Sequence, residues 1–141
     1  MANELTTVHG AYTEIIASGT ISSGGLSARS TSVAGALSAT EEIYSTLDFK
    51  LQAETTHVAD ETVDLYRRPS DGTNDAAAPT ASYLHQYVGS FTLNGTASTY
   101  YYLYGVANVD PEDTFYLVSN CAGSEDFSLD IRGRTFAPAA A

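Results

Sequence analysis

"EIYSTLDFKLQAE", residues 42–54, alternates apolar and polar side chains. Ile43, Leu47, Phe49, Leu51 and Ala53 share one parity, and Tyr44, Thr46, Asp48, Lys50, Gln52 and Glu54 share the other. Ser45 is the only polar residue on the apolar side. Successive side chains of a strand point to opposite faces, so the stretch reads as a half-buried antiparallel strand. "TVDLYRR", 62–68, repeats the pattern, with Val63 and Leu65 inward and Asp64 and Tyr66 outward. "FSLDIR", 127–132, sends Phe127, Leu129 and Ile131 one way and Ser128, Asp130 and Arg132 the other.

Working outward, "YVGSFTL", 87–93, puts Tyr87, Phe91 and Leu93 on one side, and Asn94-Gly95 follows at once. Asn-Gly between β runs signals a hairpin, because a type I′ turn needs positive φ at both central positions. The expected partner is "TYYYLYGV", 99–106. "TFYLVSN", 114–120, pairs with "FSLDIR" on the same logic, joined by "NCAGSED". Residues 1–40 are rich in small side chains; strands are expected near 13–21 and 26–34, with a turn at Gly24-Gly25. The result is an all-β chain of about eight short strands, spaced as in an antiparallel β-sandwich. Phe49, Leu51, Phe91, Leu103, Leu117, Leu129 and Ile131 are the expected core. Residues 1–40 form an N-terminal segment with one or two strands, a candidate assembly arm, and 41–134 form the sandwich body. The Ala/Pro-rich tail 135–141 is expected to hang loose or lie on a neighbour, and "RPSDGTNDAAAPTAS", 68–82, is a long loop.

The chain has 141 residues and 14.9 kDa, one domain's worth. Its net charge is −11, from 17 acidic against 6 basic side chains. Phosphate binding needs a basic face, so nucleic acid and an anionic membrane surface are excluded as partners. One cysteine, Cys121, cannot form an internal disulfide, so nothing requires an oxidising compartment. "MANELTTVHGAY" lacks the basic and apolar regions of a secretory signal, and no apolar run reaches the ~18 residues of a membrane span. Folding in a cytoplasm is expected.

No catalytic, cofactor or metal site is expected. His9, His57 and His85 lie far apart, and no Gly-x-Ser-x-Gly elbow is present. Asp71, Asn74 and Asp75, or Asp110, Glu112 and Asp113, could offer the clustered oxygens that calcium favours. Neither has EF-hand spacing, and Asp71-Gly72 and Asp110-Pro111 are turn formers. Glu41-Glu42 and Asp60-Glu61 read as solvated charges at strand entrances, "NGT" 94–96 as a turn, and Cys121 as a bystander.

The tyrosine strand admits two readings. Tyr100, Tyr102 and Tyr104 share the parity opposite Tyr101 and Leu103. Either the three rings lie against cross-strand neighbours, partly wet, or they form a protein-contact patch. Gly105 marks a bulge that returns Val106 to the core side.

The order of pieces from about 40 to 132 resembles a group of small virion proteins of tailed bacteriophages, typically encoded near the major capsid protein. The pieces are "VDLYRRPSDGTN", an Ala/Pro loop, "YVGSFTL", an aromatic strand, "VDPEDTFYLVSNCAG" and "FSLDIR"; residues 1–40 match poorly. The resemblance implies a jelly-roll-like sandwich and a non-enzymatic structural role, foremost capsid decoration (cement) on the capsid exterior. It implies the major capsid protein as partner, a homo-oligomer with a trimer favoured, and synthesis in the host cytoplasm. The alternative is a tail- or neck-associated or carbohydrate-binding module; the absence of Trp weighs against a sugar site.

Overall fold

The computed structural model describes residues 5–107 and 110–138. The expected arm's first four residues and the tail's last three lie outside the described residues, as does Val109 of the resemblance. The strands are β1 (Leu5–His9), β2 (Thr13–Ile21), β3 (Thr46–Ala53), β4 (Thr62–Arg68), β5 (Gln86–Thr92), β6 (Thr99–Ala107), β7 (Thr114–Ser119), β8 (Glu125–Arg132) and β9 (Arg134–Pro138). Two helical turns, α1 (Val33–Ala36) and α2 (Thr40–Ile43), precede β3. One sheet has the order β2-β8-β3-β6, the other β5-β4-β7, and β1 and β9 form a two-stranded ribbon. All strand pairs are antiparallel. The fold is an all-β sandwich, as the alternation predicts.

The two inner faces meet in one apolar core. Phe49, Leu51, Phe91, Leu117, Leu129 and Ile131 are each no more than 2% exposed; Leu103, expected with them, is half-buried against their cluster. Phe49 of one sheet meets Phe115 of the other edge-on, with ring centroids 4.9 Å apart.

Pairing departs from the local reading. β5 and β6 do not form a hairpin: β5 pairs with β4, and β6 with β3. The Asn94-Gly95 segment crosses between sheets, and only Gly95 of the two has positive φ. Likewise β7 pairs with β4 while β8 pairs with β2 and β3, so "NCAGSED" is also a crossing. Tyr87 is exposed rather than inward, because Leu65 faces Gly89 while Tyr66 faces Tyr87, leaving Val88 as an extra residue. That bulge reverses the side of every residue before it.

The N-terminal segment is strand at 13–21 but not at 26–34. There, a single bridge joins Leu26 to Val118, and the Ser27 and Ser30 amides donate to the Leu117 and Phe115 carbonyls at 2.8 Å. The return bonds go from the Leu117 and Phe115 amides to the Ser27 and Ser30 hydroxyls. Serine side chains thus replace backbone carbonyls in the ladder. Ser32 then caps α1 by accepting from the Gly35 amide. The stretch 42–54 is strand only from Thr46; its first residues belong to α2, whose Glu41 and Glu42 suit a helix N-terminus. The described part of the tail is no loose end either: β9 pairs with β1 from Arg134 to Pro138.

The ribbon continues the β2–β8 ladder past Gly10 and Gly133, whose backbones bond to each other at 3.0 Å. A Cβ on Gly133 would lie 2.5 Å from the Glu42 carbonyl oxygen and 2.7 Å from its Cα. Both are backbone atoms of α2, which cannot swing aside. Gly133→Ala should therefore cost about 2 kcal/mol, in the range for overpacking, read as a lower urea midpoint; an unchanged midpoint would show that α2 does not clamp the ribbon.

Candidate functional site

The outer face of the four-stranded sheet carries the feature that stands out. β6 pairs with β3 in a register that sets Tyr100 opposite Gln52 and Tyr102 opposite Lys50. Alternation then sends Tyr100, Tyr102 and Tyr104 outward, 48%, 44% and 61% exposed. Tyr102 and Tyr104 stack at 5.4 Å between centroids. Inward, Tyr101 is partly buried, and its hydroxyl donates to Asn94 Oδ1 at 2.8 Å and accepts from the Asn94 amide. The rings lie over neighbouring side chains and are still about half exposed, which leaves both readings of this strand open.

Tyr12 sits beside this row, 6.3 Å from Tyr102. Two cations divide the rings between them. Lys50 Nζ lies 4.5 Å from the Tyr12 ring centre and 5.2 Å from that of Tyr100, and pairs with Asp130 at 3.4 Å. The Arg132 guanidinium lies 4.6 Å from Tyr12 and 5.8 Å from Tyr104. Ring faces attract cations, so these contacts hold the rings in place. The Tyr12 hydroxyl is buried without a hydrogen-bond partner among the described residues. Burial pushes its pKa up to about 12, although Arg132 pulls the other way.

Beneath the row lies Asp48, outward by parity yet fully buried. Gly105, at φ +67, forms the predicted bulge: Leu47 faces Val106 and Phe49 faces Leu103, so Asp48 meets the Tyr104–Gly105 pair. The Gly105 amide donates to Asp48 Oδ1 at 2.9 Å, Arg132 Nε to Oδ2 at 2.9 Å, and Arg134 donates to Oδ1 at 3.2 Å. His9 Nδ1 stands 3.4 Å from Oδ2. Five strands, β1, β3, β6, β8 and β9, meet at one carboxylate. Burial alone would raise its pKa; the Gly105 amide and the two guanidiniums outweigh that and hold it below its usual value. Three of the chain's six basic residues, Lys50, Arg132 and Arg134, are on this face.

The other sheet also has outward rings: Tyr87 on β5 is 58% exposed, while the rings on β4 and β7 cover each other. Tyr66 stacks on Tyr116 at 5.6 Å, and Tyr116 is 1% exposed. His85 donates its amide to the Tyr116 hydroxyl. The 68–82 loop that precedes it is pinned: Asp71 accepts from the Thr73 and Asn74 amides, Arg29 binds Asp75 at 2.7 Å, and Arg68 holds the Ala76 carbonyl. Arg29 holds the Asp75 carboxyl far below the usual range.

The remaining candidates are dispersed. His57 is buried between the Thr55 carbonyl and the Tyr101 hydroxyl. Asp110 accepts from the Glu112 amide, while Asp113 accepts from the Ser70 amide near Arg67, and burial raises its pKa. Glu61 accepts from the Val58 and Ala122 amides. Burial pushes the Cys121 thiol up, away from nucleophilic thiolate. Among the described residues, no three His, Cys, Asp or Glu gather as a metal site. Sequence reasoning missed Tyr12, Arg134 and the Asp48 junction; the outward parity of Asp48, Lys50 and Arg132 was the available signal. No protein-family model matches the chain, and neither does any curated protein.

Proposed function

We propose that the chain is a non-enzymatic virion structural protein, a capsid decoration protein that binds the major capsid protein from the capsid exterior. The carrying observation is the row Tyr100, Tyr102 and Tyr104, half-exposed, with Tyr100 propped by Lys50, Tyr104 by Arg132 and Tyr102 stacked on Tyr104. Exposed ring area is unfavourable in water at about 25 cal/mol per Å². Tyrosine and arginine are the residues that protein interfaces favour. The motif series supports the virion assignment, and a homo-oligomer bound where capsomers meet is the form it takes. The strand order supports a jelly roll. Pairs nest from outside in: β2 with β8, the 24–30 segment with β7, β3 with β6, and β4 with β5. Successive members change sheet, apart from the innermost pair, which lies within one sheet.

The test is co-sedimentation with capsids that lack the protein. Replacing all three tyrosines by Ser should keep the circular dichroism of the fold, since the rings face away from the core. Particle binding should fall at least tenfold. A triple variant that binds capsids as well as the parent would remove the face from the proposal. Binding of the parent to cell-surface polysaccharide but not to capsids would favour the carbohydrate-binding alternative.

A further inference from the structure

We propose that β6 is a self-pairing edge: two copies of this chain join β6 to β6, antiparallel, about a twofold axis, making one continuous eight-stranded sheet. The proposal takes from the reading above only the outward tyrosines, and it stands whether or not the partner is a capsid.

The sheet edges differ in how they are protected. β2, the far edge of the same sheet, carries Glu14 and two register shifts, the charges and bulges that blunt an edge. The free side of β7 is bonded by the 24–30 segment. β5 is broken by the bulge at Val88. Among the described residues β6 is hydrogen-bonded on one side only, to β3, and its bulge lies at one end, leaving 99–103 regular. Its inward residues Leu103 and Val106 are only partly buried, whereas those of the central strands β3 and β8 are closed off. The core is open at this edge.

Charge selects a second copy as the occupant. Two chains of net charge −11 repel over most of their surfaces. From Ala76 through Val109, however, the sequence has no Asp, Glu, Lys or Arg, and this run contains both β5 and β6. The two edge strands on this side of the sandwich are thus the place where like chains can meet without opposing charges.

Symmetry fixes what meets what. In a twofold antiparallel pair, partners always have the same parity, so outward residues face outward residues. Centring the pair on Tyr102 sets Tyr102 against itself and Tyr100 against Tyr104. Every outward ring then has a ring opposite, a favourable cross-strand pair, and inward Leu103 meets the Tyr101 of the second copy.

Light scattering on the eluting protein tests this. The parent should run at twice the 14.9 kDa chain mass, and Tyr102→Lys, which places two ammonium groups face to face, should run at the chain mass with an unchanged circular dichroism spectrum. In a second experiment, Tyr102→Cys should oxidise to a disulfide-linked dimer, since directly opposed residues lie within bridging distance. Tyr44→Cys, more exposed but on α2's flank, should not. A parent at chain mass at every concentration, a trimeric mass, a dimer indifferent to Tyr102→Lys, or no crosslink from Tyr102→Cys would each overturn the proposal. Capsid co-sedimentation is scored on the parent, whose solution mass and particle binding are separate readouts, so the two readings fail independently.

Discussion

Phe49→Ala should lower the unfolding free energy by about 3–5 kcal/mol, the range for emptying a large aromatic site in a core. Phe49 is fully buried on β3, which is paired on both sides, to β8 and to β6. It therefore sits in the interior of its sheet, where flanking strands block collapse into the vacated space. Its ring meets Phe115 of the opposite sheet edge-on, so the substitution also removes an aromatic pair worth about 1 kcal/mol beyond its area. For a domain with about 5–15 kcal/mol in total, this is a large share. Urea denaturation should show a lower midpoint with the slope retained. Phe49→Leu, which keeps most of the volume, should cost less than about 1.5 kcal/mol. A loss below about 1 kcal/mol in the alanine variant would mean that β3 turns its other face to the core.

Facing was legible because it is local. The parity of β3 and β8 named Phe49, Leu51, Leu129 and Ile131 correctly, and that of β6 named the three outward tyrosines. Pairing was not legible, because it is set by closure of two sheets. β2 finds β8 across most of the chain, and no pattern in either strand encodes its partner. Asn94-Gly95 shows how the local signal is outvoted. The Asn94 side chain accepts from the Thr96 amide and the Tyr101 hydroxyl, which steers the chain across the sandwich rather than back beside β5. Tyr87 failed for a different reason: one extra residue at Val88 inverts parity, and the composition of a strand does not announce a bulge. The Ala/Pro tail was read from its last residues, while Arg134–Pro138 finds a strand partner in a segment at the other end of the chain. The tyrosine face was thus half visible. Its tyrosines could be named from one strand, but Tyr12 and Arg134 come to it only through the fold.

Asp48 carries the second large expectation, and its parity alone misleads. It lies on the outward face, where a solvated carboxylate could be replaced at little cost. Instead it is fully buried and fastens β1, β6, β8 and β9 to β3. Asp48→Ala strands two guanidiniums and the Gly105 amide. Breaking a buried ion pair costs about 3–5 kcal/mol. Here the low end, about 3 kcal/mol, is expected, because the side chains of Arg132 and Arg134 stay 21% and 28% exposed and can recover some hydration. Asp48→Asn keeps the shape and can still accept from Gly105, so the part it loses is the charge. The pH dependence follows from the direction of the shift. The folded pKa lies below the ordinary value of 3.8. The folded state therefore binds this proton less readily than the unfolded chain, and the contribution is complete above the ordinary pKa and lost as pH falls through the folded one. The stability difference between the parent and Asp48→Asn should be flat from pH 5 to 7 and shrink below about pH 4. Urea midpoints of both proteins across that range measure it directly. A difference that grows on acidification would mean that burial, not the arginines, controls this carboxylate. The same loss should appear in the ribbon first, since Arg134 and His9 reach Asp48 from β9 and β1. Amide exchange of Thr7 and Phe136 should accelerate in Asp48→Asn while that of Leu51 and Leu129, in the sandwich, stays slow.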